Sequence, residues 1–516
     1  MTSRDPRLGR RPVLLGTAAA GLLATTPTRA ALARPGQLRH RLHLPSGVQS
    51  GDVSTDRAVL WARSSGPGRL VARIDDGRVV RGPEVGEGSD FTGRIELRGL
   101  RPGREHAATL WFEGEDGSRG ETATLTFRTG DRRPAPTSFV WTGDTAGQGW
   151  GINPDLGGMT AYATMAATSP DFFVHAGDTV YSDGPLEETV VEPDGQVWRN
   201  VLIPEVTKVA ETLAEFRARH RYNLMDDNVR RMYAEVPVLA QWDDHETTNN
   251  WYPGEILADD RYIEKRVDVL AARARRAWQE WQPIQGAAVR GRGRDGFAAA
   301  RIYRKVERGA HLDVFCLDMR THKSPNTANT EPAPTPVLGG QQVGWLIREL
   351  RGSRATWKVI SADLPLGLVV PDGTAQEGVG NGDPGTPLGR ELEIARVLSA
   401  IRRYGIRNVV WITADVHYCA AHHYSPDRAA FTDFDPFWEL VAGPINAGTF
   451  GPNALDATFG PEVEFSKVGD HPNQSPRGGN QFFGHVAIDE AGLLTASLRD
   501  TSGTVLWSRD LEPDPA

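Results

Sequence analysis

The sequence predicts an α/β fold preceded by a small β-sandwich, because the pattern of apolar residues changes once along the chain. Residues 40–130 consist of short runs that alternate apolar and polar side chains and are separated by Gly, Asp and Pro. From residue 138 onward, short apolar runs alternate with longer helical stretches. Period-two alternation between turn residues is typical of a sandwich. Strands that alternate with helices indicate a largely parallel sheet with helices on its faces.

The composition is that of a globular protein with an acidic balance. The chain has 516 residues with 58 Lys or Arg and 66 Asp or Glu, which gives a formal net charge of −8. A general nucleic-acid binder needs a basic footprint, so no nucleic acid is expected as a stable partner. Two cysteines are too few for a disulfide-built scaffold. No long apolar run follows the N-terminal region, so the sequence predicts no transmembrane segment.

Residues 1–30 have the pattern of an export signal. Arg10 and Arg11 precede a short run rich in Ala, Gly and Leu, and Thr28-Arg29-Ala30 is a candidate cleavage site. A charged start, an apolar middle and a small exit residue are typical of a signal peptide. The paired arginines indicate the twin-arginine type, which exports folded proteins. We therefore expect the twin-arginine export machinery as a partner and an extracellular, cell-wall or periplasmic location.

The predicted domains are a β-sandwich at 40–130 and a catalytic domain at 131–516, which begins with a Pro-rich stretch at 131–136. Within the catalytic domain, apolar runs predict strands and longer periodic stretches predict helices. The tail at 483–511 returns to short alternating runs, which indicates strands that close a sheet edge. The predicted strands of the main sheet are 138–142, 171–176, 236–242, 312–317, 356–361 and 408–413, and the predicted helices are 205–233, 260–281, 341–351 and 390–404.

Acidic residues and histidines follow four of these predicted strands. Ligands of open α/β sheets lie beyond the carboxyl ends of the strands, so these side chains are expected to converge. A single Gly-Asp after a strand is usually a turn or a helix cap, but four converging carboxylates would repel one another unless cations neutralised them. The sequence therefore predicts a metal site, with a structural salt-bridge network as the alternative. The residues are Asp144; Asp178 and Tyr181; Asp244, His245 and Glu246; and Asp415 and His417.

The types of ligand restrict the metals. Asp178 has two oxygens and can bridge two ions, and Tyr181 lies three residues further on. Phenolate favours a trivalent ion such as Fe(III), because a phenol with a reference pKa near ~10 needs a strong positive charge to lose its proton. His417 adds an imidazole, and the other donors are oxygens that suit Ca, Mg or Mn. Two ions that share a carboxylate lie roughly 3.5–4 Å apart, the spacing of metal-assisted phosphoester hydrolysis.

The order of these motifs resembles the metallophosphoesterase superfamily and, within it, the alkaline phosphatase D family, which is similar to purple acid phosphatases. The resemblance extends to Leu317-Asp318-Met319-Arg320, to 338–346, 357–360 and 439–444, and to the N-terminal leader and β module. It implies a metallophosphoesterase-type αββα sandwich with a fibronectin- or immunoglobulin-like N-terminal domain. It also implies a phosphoric ester hydrolase with a metal centre that is dinuclear or larger.

The resemblance further implies a role for each residue. His245 would lie beside the phosphoryl group and protonate the leaving oxygen, oriented by a carboxylate of the Asp244-His245-Glu246 run. Arg320 is a candidate phosphate clamp, although an ion-pair role is the alternative. Asp363 is a candidate further ligand of the second ion. Asp144, Asp178, Tyr181 and His417 would hold an Fe(III)-like ion, and Asp178, Asp244 and Asp415 would hold the second ion.

Two departures from the related patterns affect the choice of metal. Purple acid phosphatases have Asn where Asp244 stands and His where Asp415 stands, and many alkaline phosphatase D members have Cys where Asp144 stands. The two aspartates of the second site make it more anionic, so Ca is favoured there over Zn, with Mn and Mg also open.

The function expected from the resemblance is a secreted metal-dependent phosphoesterase that attacks phosphorus with a metal-bound hydroxide. Two alternatives remain open at this stage. One is a phosphodiesterase or phospholipase-like activity on the same dinuclear site. The other is a non-catalytic metal- or carbohydrate-binding surface protein. The natural substrate and the preference for monoesters or diesters do not follow from the sequence.

Overall fold

The structure is a computed structural model that describes residues 41–286 and 300–514. The signal peptide predicted at 1–30 lies outside the described residues. No helix within the described ranges combines the length and apolar character needed to cross a membrane.

The N-terminal region is rich in strands, as the alternating pattern predicts. In the sixth strand, Ala108, Leu110 and Phe112 are buried on one face and pack in one core with Leu60 and Ile95. The strands are β1 (Val48–Gly51), β2 (Arg57–Arg63), β3 (Gly68–Ile74), β4 (Val79–Val85), β5 (Thr92–Arg98), β6 (Glu105–Glu113) and β7 (Arg119–Arg128).

The next part of the chain contains three central strands and four helices. The predicted helix at 205–233 is two helices, because the Asp226 side chain accepts hydrogen bonds from the backbone N–H groups of Asn228 and Val229 and starts a new helix. The elements are β8 (Thr137–Thr142), α1 (Thr160–Ala167), β9 (Phe172–His175), β10 (Thr189–Val191), β11 (Val197–Arg199), α2 (Leu213–Asn223), α3 (Asp227–Glu235), β12 (Val238–Ala240) and α4 (Val267–Trp281).

The remaining part of the chain supplies a second set of strands, two helices and the C-terminal strands. The elements are β13 (Arg304–Glu307), β14 (Leu312–Cys316), α5 (Gly340–Gly352), β15 (Trp357–Ser361), β16 (Pro371–Asp372), β17 (Ala375–Gln376), α6 (Glu391–Arg403), β18 (Val409–Thr413), β19 (Cys419–Tyr424), β20 (Phe437–Val441), β21 (Pro461–Lys467), β22 (Phe482–Ile488), β23 (Leu494–Asp500) and β24 (Val505–Leu511).

The structure contains two large mixed sheets, whereas the alternation of strands and helices by itself predicts a largely parallel sheet. A nine-stranded sheet has the order β24-β23-β22-β8-β9-β12-β1-β2-β5, and a seven-stranded sheet has the order β13-β14-β15-β18-β20-β19-β21. The neighbours from β8 to β1 and from β14 to β20 are parallel, whereas the outer strands are antiparallel. The C-terminal strands form one edge of the nine-stranded sheet, as the tail pattern predicts.

The two sheets share one apolar core, and helices cover their other faces. Phe139 and Trp141 of β8 pack in the same cluster as Val359 of β15 and Ile412 of β18. Val140, between them in sequence, faces the helices α1–α4 instead. Because the central strands are buried on both faces, they appear in the sequence as continuous apolar runs. On the seven-stranded sheet, the residues that pack with α5 and α6 include Phe315, Ile360 and Trp411.

The four strands β4-β3-β6-β7 form a separate antiparallel sheet, while β1, β2 and β5 belong to the nine-stranded sheet. Mixed α/β sheets with a β-rich N-terminal region therefore confirm the coarse fold class. The boundary near residue 130 and the immunoglobulin-like assignment stay predictions, and β1 pairs directly with β12 through Gly51 and Val238.

Candidate metal centre

The carboxyl ends of central strands from both sheets carry the predicted site. Asp144 follows β8, Asp178 follows β9 and Asp244 follows β12, all in the nine-stranded sheet. Asp363 follows β15 and Asp415 follows β18 in the seven-stranded sheet. The structure brings these residues together, because two packed sheets place the ends of their parallel strands at one edge.

Three overlapping groups of side chains have the spacing of metal ligands. Ligand atoms of Asp144, Asp178 and His417 lie within 4.8 Å of one another, and so do those of Asp178, Asp244 and His245. A third group has the same spacing and consists of Asp243, Asp244 and Asp415. Asp178 belongs to two groups, which is the position that a bridging carboxylate requires.

The backbone at these positions is held in a conformation that L-amino acids rarely adopt. Asp144 has a φ of 66°, Asp178 of 50°, Asp415 of 66° and His417 of 59°. The left-handed region costs a non-glycine residue about 1–3 kcal/mol, and residues held there cluster at functional sites. Four such residues within one cluster indicate that the surrounding structure fixes the backbone from which these side chains extend.

Gly177 allows the loops after β9 and β12 to approach closely. Its φ is 106°, and a Cβ at this position would lie 2.6 Å from Cβ of Asp243. A larger residue would push the two loops apart and separate Asp178 from Asp244. The Gly-Asp pattern after β9 therefore has a steric reason.

Glu246 fastens the same two loops together. Its Oε1 accepts hydrogen bonds from the backbone N and from Oγ1 of Thr179, both at 2.6 Å, and its Oε2 accepts one from the backbone N of Asp243 at 2.7 Å. Thr179 and Asp243 directly adjoin Asp178 and Asp244. Glu246 thus sets the separation of two candidate ligands, and both of its oxygens are engaged away from the His245 ring.

The carboxylate that orients His245 is Asp183, so the expectation that the Asp244-His245-Glu246 run supplies it is wrong. Nδ1 of His245 lies 2.8 Å from Oδ1 of Asp183, whose Oδ2 accepts a hydrogen bond from the backbone N of Asn249 at 2.8 Å. A proton on Nδ1 satisfies this contact and leaves Nε2 available. Asp183 lies two residues beyond Tyr181, and no local pattern in the sequence marks it.

The charges of His245 and Asp183 favour the ionised form of both side chains. Burial by itself would lower the pKa of His245, but the charges of Asp183 and Asp244 raise that pKa to about 10. Burial would raise the pKa of Asp183, and the His245 charge lowers it overall. The raised pKa of His245 and the lowered pKa of Asp183 have the same cause, because each charge stabilises the other.

Tyr181 and His417 point at one another. The phenol oxygen of Tyr181 lies 2.8 Å from Nε2 of His417, and Nε2 lies 3.6 Å from Oδ1 of Asp144. Nδ1 of His417 donates to the carbonyl of Gly448 at 2.5 Å, so Nε2, which faces the Tyr181 phenol, is the ring nitrogen with a lone pair for a metal. Burial lowers the pKa of His417 to about 4. It is therefore a neutral imidazole, the form that binds metals.

Two carboxylates of the cluster lack the hydrogen-bond partners that buried charges need. Both oxygens of Asp144 and of Asp363 are buried and accept no hydrogen bond from the described residues. Burial and then neighbouring carboxylates raise the pKa values of Asp144 and Asp178. Burial and then the Asp178 and Asp144 charges also raise the pKa of the Tyr181 phenol. Bound cations would reverse these shifts, so the donor set fits a cluster of hard cations.

Arg320 lies within this cluster rather than on its surface. Its side chain is fully buried, Nε is paired with Asp243, Nη1 is paired with Glu377, and Nη2 lies 3.4 Å from Asp415. Asp243 and Glu377 are the further carboxylates that sequence reasoning missed. Asp243 stands next to Asp244 and was visible as a neighbour, whereas Glu377 follows β17 with no motif around it. A contact between Arg320 and substrate stays a prediction.

Replacing Gly147 by Ala is expected to displace the Tyr181 ring. A Cβ at Gly147 would lie 2.5 Å from Cε2 and Cζ of Tyr181, well inside van der Waals contact. We expect the variant to fold but to lose the tyrosinate-to-metal absorption, and most of the trivalent ion, that the sequence predicts at Tyr181. Visible spectroscopy and elemental analysis measure both. Gly340→Ala, where a Cβ meets nothing within 4 Å, is the control. An unchanged spectrum in Gly147→Ala would exclude Tyr181 as a ligand.

The fold and the site together define the class. Two mixed sheets end in a buried set of carboxylates, a phenol and an imidazole, which is the donor set of a metalloprotein. Residues 139–500 match the family model described as PhoD-like phosphatase, and residues 30–126 match the model of the PhoD-like phosphatase N-terminal domain. The chain belongs to the PhoD-like phosphatase family, which confirms the resemblance to alkaline phosphatase D.

Individual relatives agree with this family. Alkaline phosphatase D of Bacillus subtilis (strain 168) is 29% identical over an alignment of 401 residues, and the match covers 72% of this chain and 64% of the relative. The match thus spans slightly less than two thirds of that protein. A solved structure of PhoD superposes with a TM-score of 0.67 at 19% identity, covering 93% of this chain and 94% of the other. Purple acid phosphatase PPD1 from yellow lupin (Lupinus luteus) seeds has a TM-score of 0.53 at 13% identity, covering 90% and 73%.

Proposed function

We propose that the protein is a phosphoric ester hydrolase, a metal-dependent phosphoesterase similar to alkaline phosphatase D. The observation that carries the proposal is the position of Asp178. It is shared by a group that contains Asp144 and His417 and by a group that contains Asp244 and His245. Membership of the PhoD-like phosphatase family supports the same activity.

The proposed ligands follow from the groups described above. Asp144, Asp178, Tyr181 and His417 would hold a trivalent ion, Fe(III), because a phenolate and two carboxylates favour a high charge. The second ion is Ca, or else Mn, Mg or Zn, and its ligands are Asp178, Asp244 and Asp415, with Asp363 as a further candidate. Cations bound by these residues would offset the charge of the phosphoester and would lower the pKa of a coordinated water.

His245 is proposed as the general acid for the leaving oxygen. Asp183 holds the Nδ1 proton, so the proton that leaves is the one on Nε2. The backbone N of His245 donates to Oδ1 of Asp178 at 3.1 Å and to Oδ1 of Asp244 at 3.0 Å, which fixes the residue between two ligands. The ring lies 4.3 Å from the Tyr181 ring, centroid to centroid, so it cannot swing toward that side. General acids held in this way typically contribute about 10²–10⁴-fold to the rate.

We also propose the finer architecture and the location that the sequence predicts. The layers are those of an αββα sandwich, supported by the helices that cover the outer faces of both sheets. Residues 40–130 are proposed as a fibronectin- or immunoglobulin-like domain, supported by the match of 30–126 to a separate N-terminal model. The leader at 1–30 supports export by the twin-arginine route, and its paired arginines are the basis of that proposal.

Hydrolysis assays on natively exported protein test the proposed function. We expect turnover of p-nitrophenyl phosphate or of its bis ester, loss of turnover after chelation, and recovery when Fe and Ca are returned. Preferential turnover of the bis ester would assign a phosphodiesterase activity to the same site. Metal-loaded protein that hydrolyses no phosphoester would contradict the proposal and favour the non-catalytic binding alternative.

A further inference from the structure

Arg320 lies among five carboxylates, four of which follow strands of the two large sheets, while Glu377 follows β17 of a separate two-stranded sheet. The guanidinium pairs directly with Asp243 and Glu377. Nη2 lies 3.4 Å from Asp415 and 3.7 Å from Asp244, and Nε lies 3.9 Å from Asp363. None of the Arg320 side chain is exposed to solvent.

This arrangement differs from both ordinary roles of a buried arginine. A phosphate clamp has to present its guanidinium fork to the ligand, but here the nitrogens of Arg320 face carboxylates. A structural ion pair joins an arginine to one carboxylate, as Arg304 does with Asp52 at 2.8 Å. Arg320 instead carries one permanent charge into a group of five carboxylates, and a guanidinium stays protonated at any working pH.

Several buried oxygens around Arg320 accept no hydrogen bond, so its single positive charge does not neutralise the surrounding carboxylates. Both oxygens of Asp363, Oδ2 of Asp243 and Oε2 of Glu377 are buried and accept no hydrogen bond from the described residues. Lys323 adds a second cation, with Nζ 3.0 Å from Glu377. The proposed second metal ion would supply the remaining charge through Asp244 and Asp415.

We propose that Arg320, anchored by Asp243 and Glu377, is a fixed internal cation that positions Asp244 and Asp415 for the second metal ion. It is a positioning residue, and it takes the space and the charge that a further divalent ion would otherwise take. The proposal rests on the metal centre proposed above, because it concerns the ligands of its second ion.

Removing the guanidinium is expected to make the pocket dependent on divalent cations. Arg320→Met keeps a side chain of similar length but leaves five carboxylates without the positive charge between them. Breaking a buried ion pair by removing one partner is strongly destabilising. We expect a melting temperature lower by about 5 °C or more in metal-depleted buffer, and a gap that closes as millimolar Ca or Mn is added. Arg320→Ala leaves more space, and we expect it to bind one more divalent ion per chain than the wild type.

The experiment uses the full exported protein and needs no substrate. Melting temperatures are measured across a series of Ca and Mn concentrations for the wild type and the variants, with elemental analysis of each. Arg304→Met is the matched control, since it removes a buried arginine that pairs with Asp52 outside the candidate ligand groups. Its loss of stability should stay the same at every concentration. Arg320→Lys keeps the charge and should respond to divalent ions as the wild type does.

Three outcomes would overturn the proposal. The first is a stability gap for Arg320→Met that does not change with divalent ions, as in Arg304→Met, which would leave only a structural ion pair. The second is wild-type melting and metal content with a raised KM for phosphoesters, which would assign a phosphate clamp. If Arg320→Met and Arg320→Ala both fail to fold, Glu377→Gln is the test variant. The proposal predicts that it binds the second ion with a roughly 10-fold weaker affinity. The third outcome that would overturn the proposal is an unchanged affinity in this variant.

These measurements remain separate from the test of the proposed function. Hydrolysis can fail while the divalent dependence of Arg320→Met appears, which would retain a metal site without the activity. The reverse result would retain the phosphoesterase and remove the role of Arg320.

Discussion

Asp178→Asn is expected to abolish metal binding and turnover together. Asp178 is almost fully buried, belongs to two of the three ligand groups, and accepts a hydrogen bond from the backbone of His245. Asn has one oxygen and no charge, so it cannot bridge two cations. Removing a residue that only hydrogen-bonds to a metal ligand typically costs about 10–100-fold in metal affinity. Replacing the ligand Asp178 itself should cost more, and we expect no measurable kcat/KM.

The stability of the metal-free protein should respond in the opposite direction. Burial and the charges of neighbouring carboxylates raise the pKa of Asp178, which means that its ionised form is unfavourable without cations. A neutral Asn relieves that repulsion, so we expect the metal-free Asp178→Asn protein to melt at or above the temperature of the metal-free wild type. Loss of function would then not be a folding defect.

A matched control separates the site from buried aspartates in general. Asp313 of β14 is also buried and bonds to Ser353 at 2.7 Å. Asp313→Asn should keep full metal content and turnover. Asp178→Asn protein that retained its metals and its activity would contradict the whole dinuclear scheme, whatever the control did.

His245→Gln should reduce turnover while the metals stay bound. The side chain of His245 is fixed by Asp183 at 2.8 Å, and its proposed role is to deliver a proton rather than to hold an ion. Loss of a general acid typically costs about 10²–10⁴-fold. Asp183→Asn should have a smaller effect of the same kind, because the ring remains but loses the carboxylate that sets its tautomer.

The leaving group provides the sharper measurement. An alkyl phosphate needs a proton on its departing oxygen, whereas p-nitrophenolate leaves without one. We therefore expect His245→Gln to impair an alkyl ester far more than p-nitrophenyl phosphate. Equal loss on both esters, or loss of bound metal, would assign His245 to the metal site instead. His422, buried and 3.2 Å from Glu439, is a second histidine–carboxylate pair, and His422→Gln should change neither rate.

The sequence alone indicates the strand ends and the chemistry that follows them. Asp144, Asp178 and Asp415 stand immediately beyond apolar runs, and a run that is buried on both faces can be recognised without knowing its partners. The carboxyl ends of parallel strands then meet at one edge by the geometry of the sheet. Convergence of these residues was therefore predictable, and so was a cation requirement, since buried carboxylates repel one another.

The tertiary structure decided which residues act on one another across the centre. The Asp183–His245 pair, the Glu246 clamp on Thr179 and the pairing of Arg320 with Glu377 all join separate loops. It also placed β1 beside β12 in the nine-stranded sheet, although the sequence predicts a separate N-terminal module. The pattern of apolar residues indicates whether a residue is buried, but it does not indicate which residue from another part of the chain packs against it. These contacts depend on how the two sheets pack and where the loops cross, which only the folded chain determines.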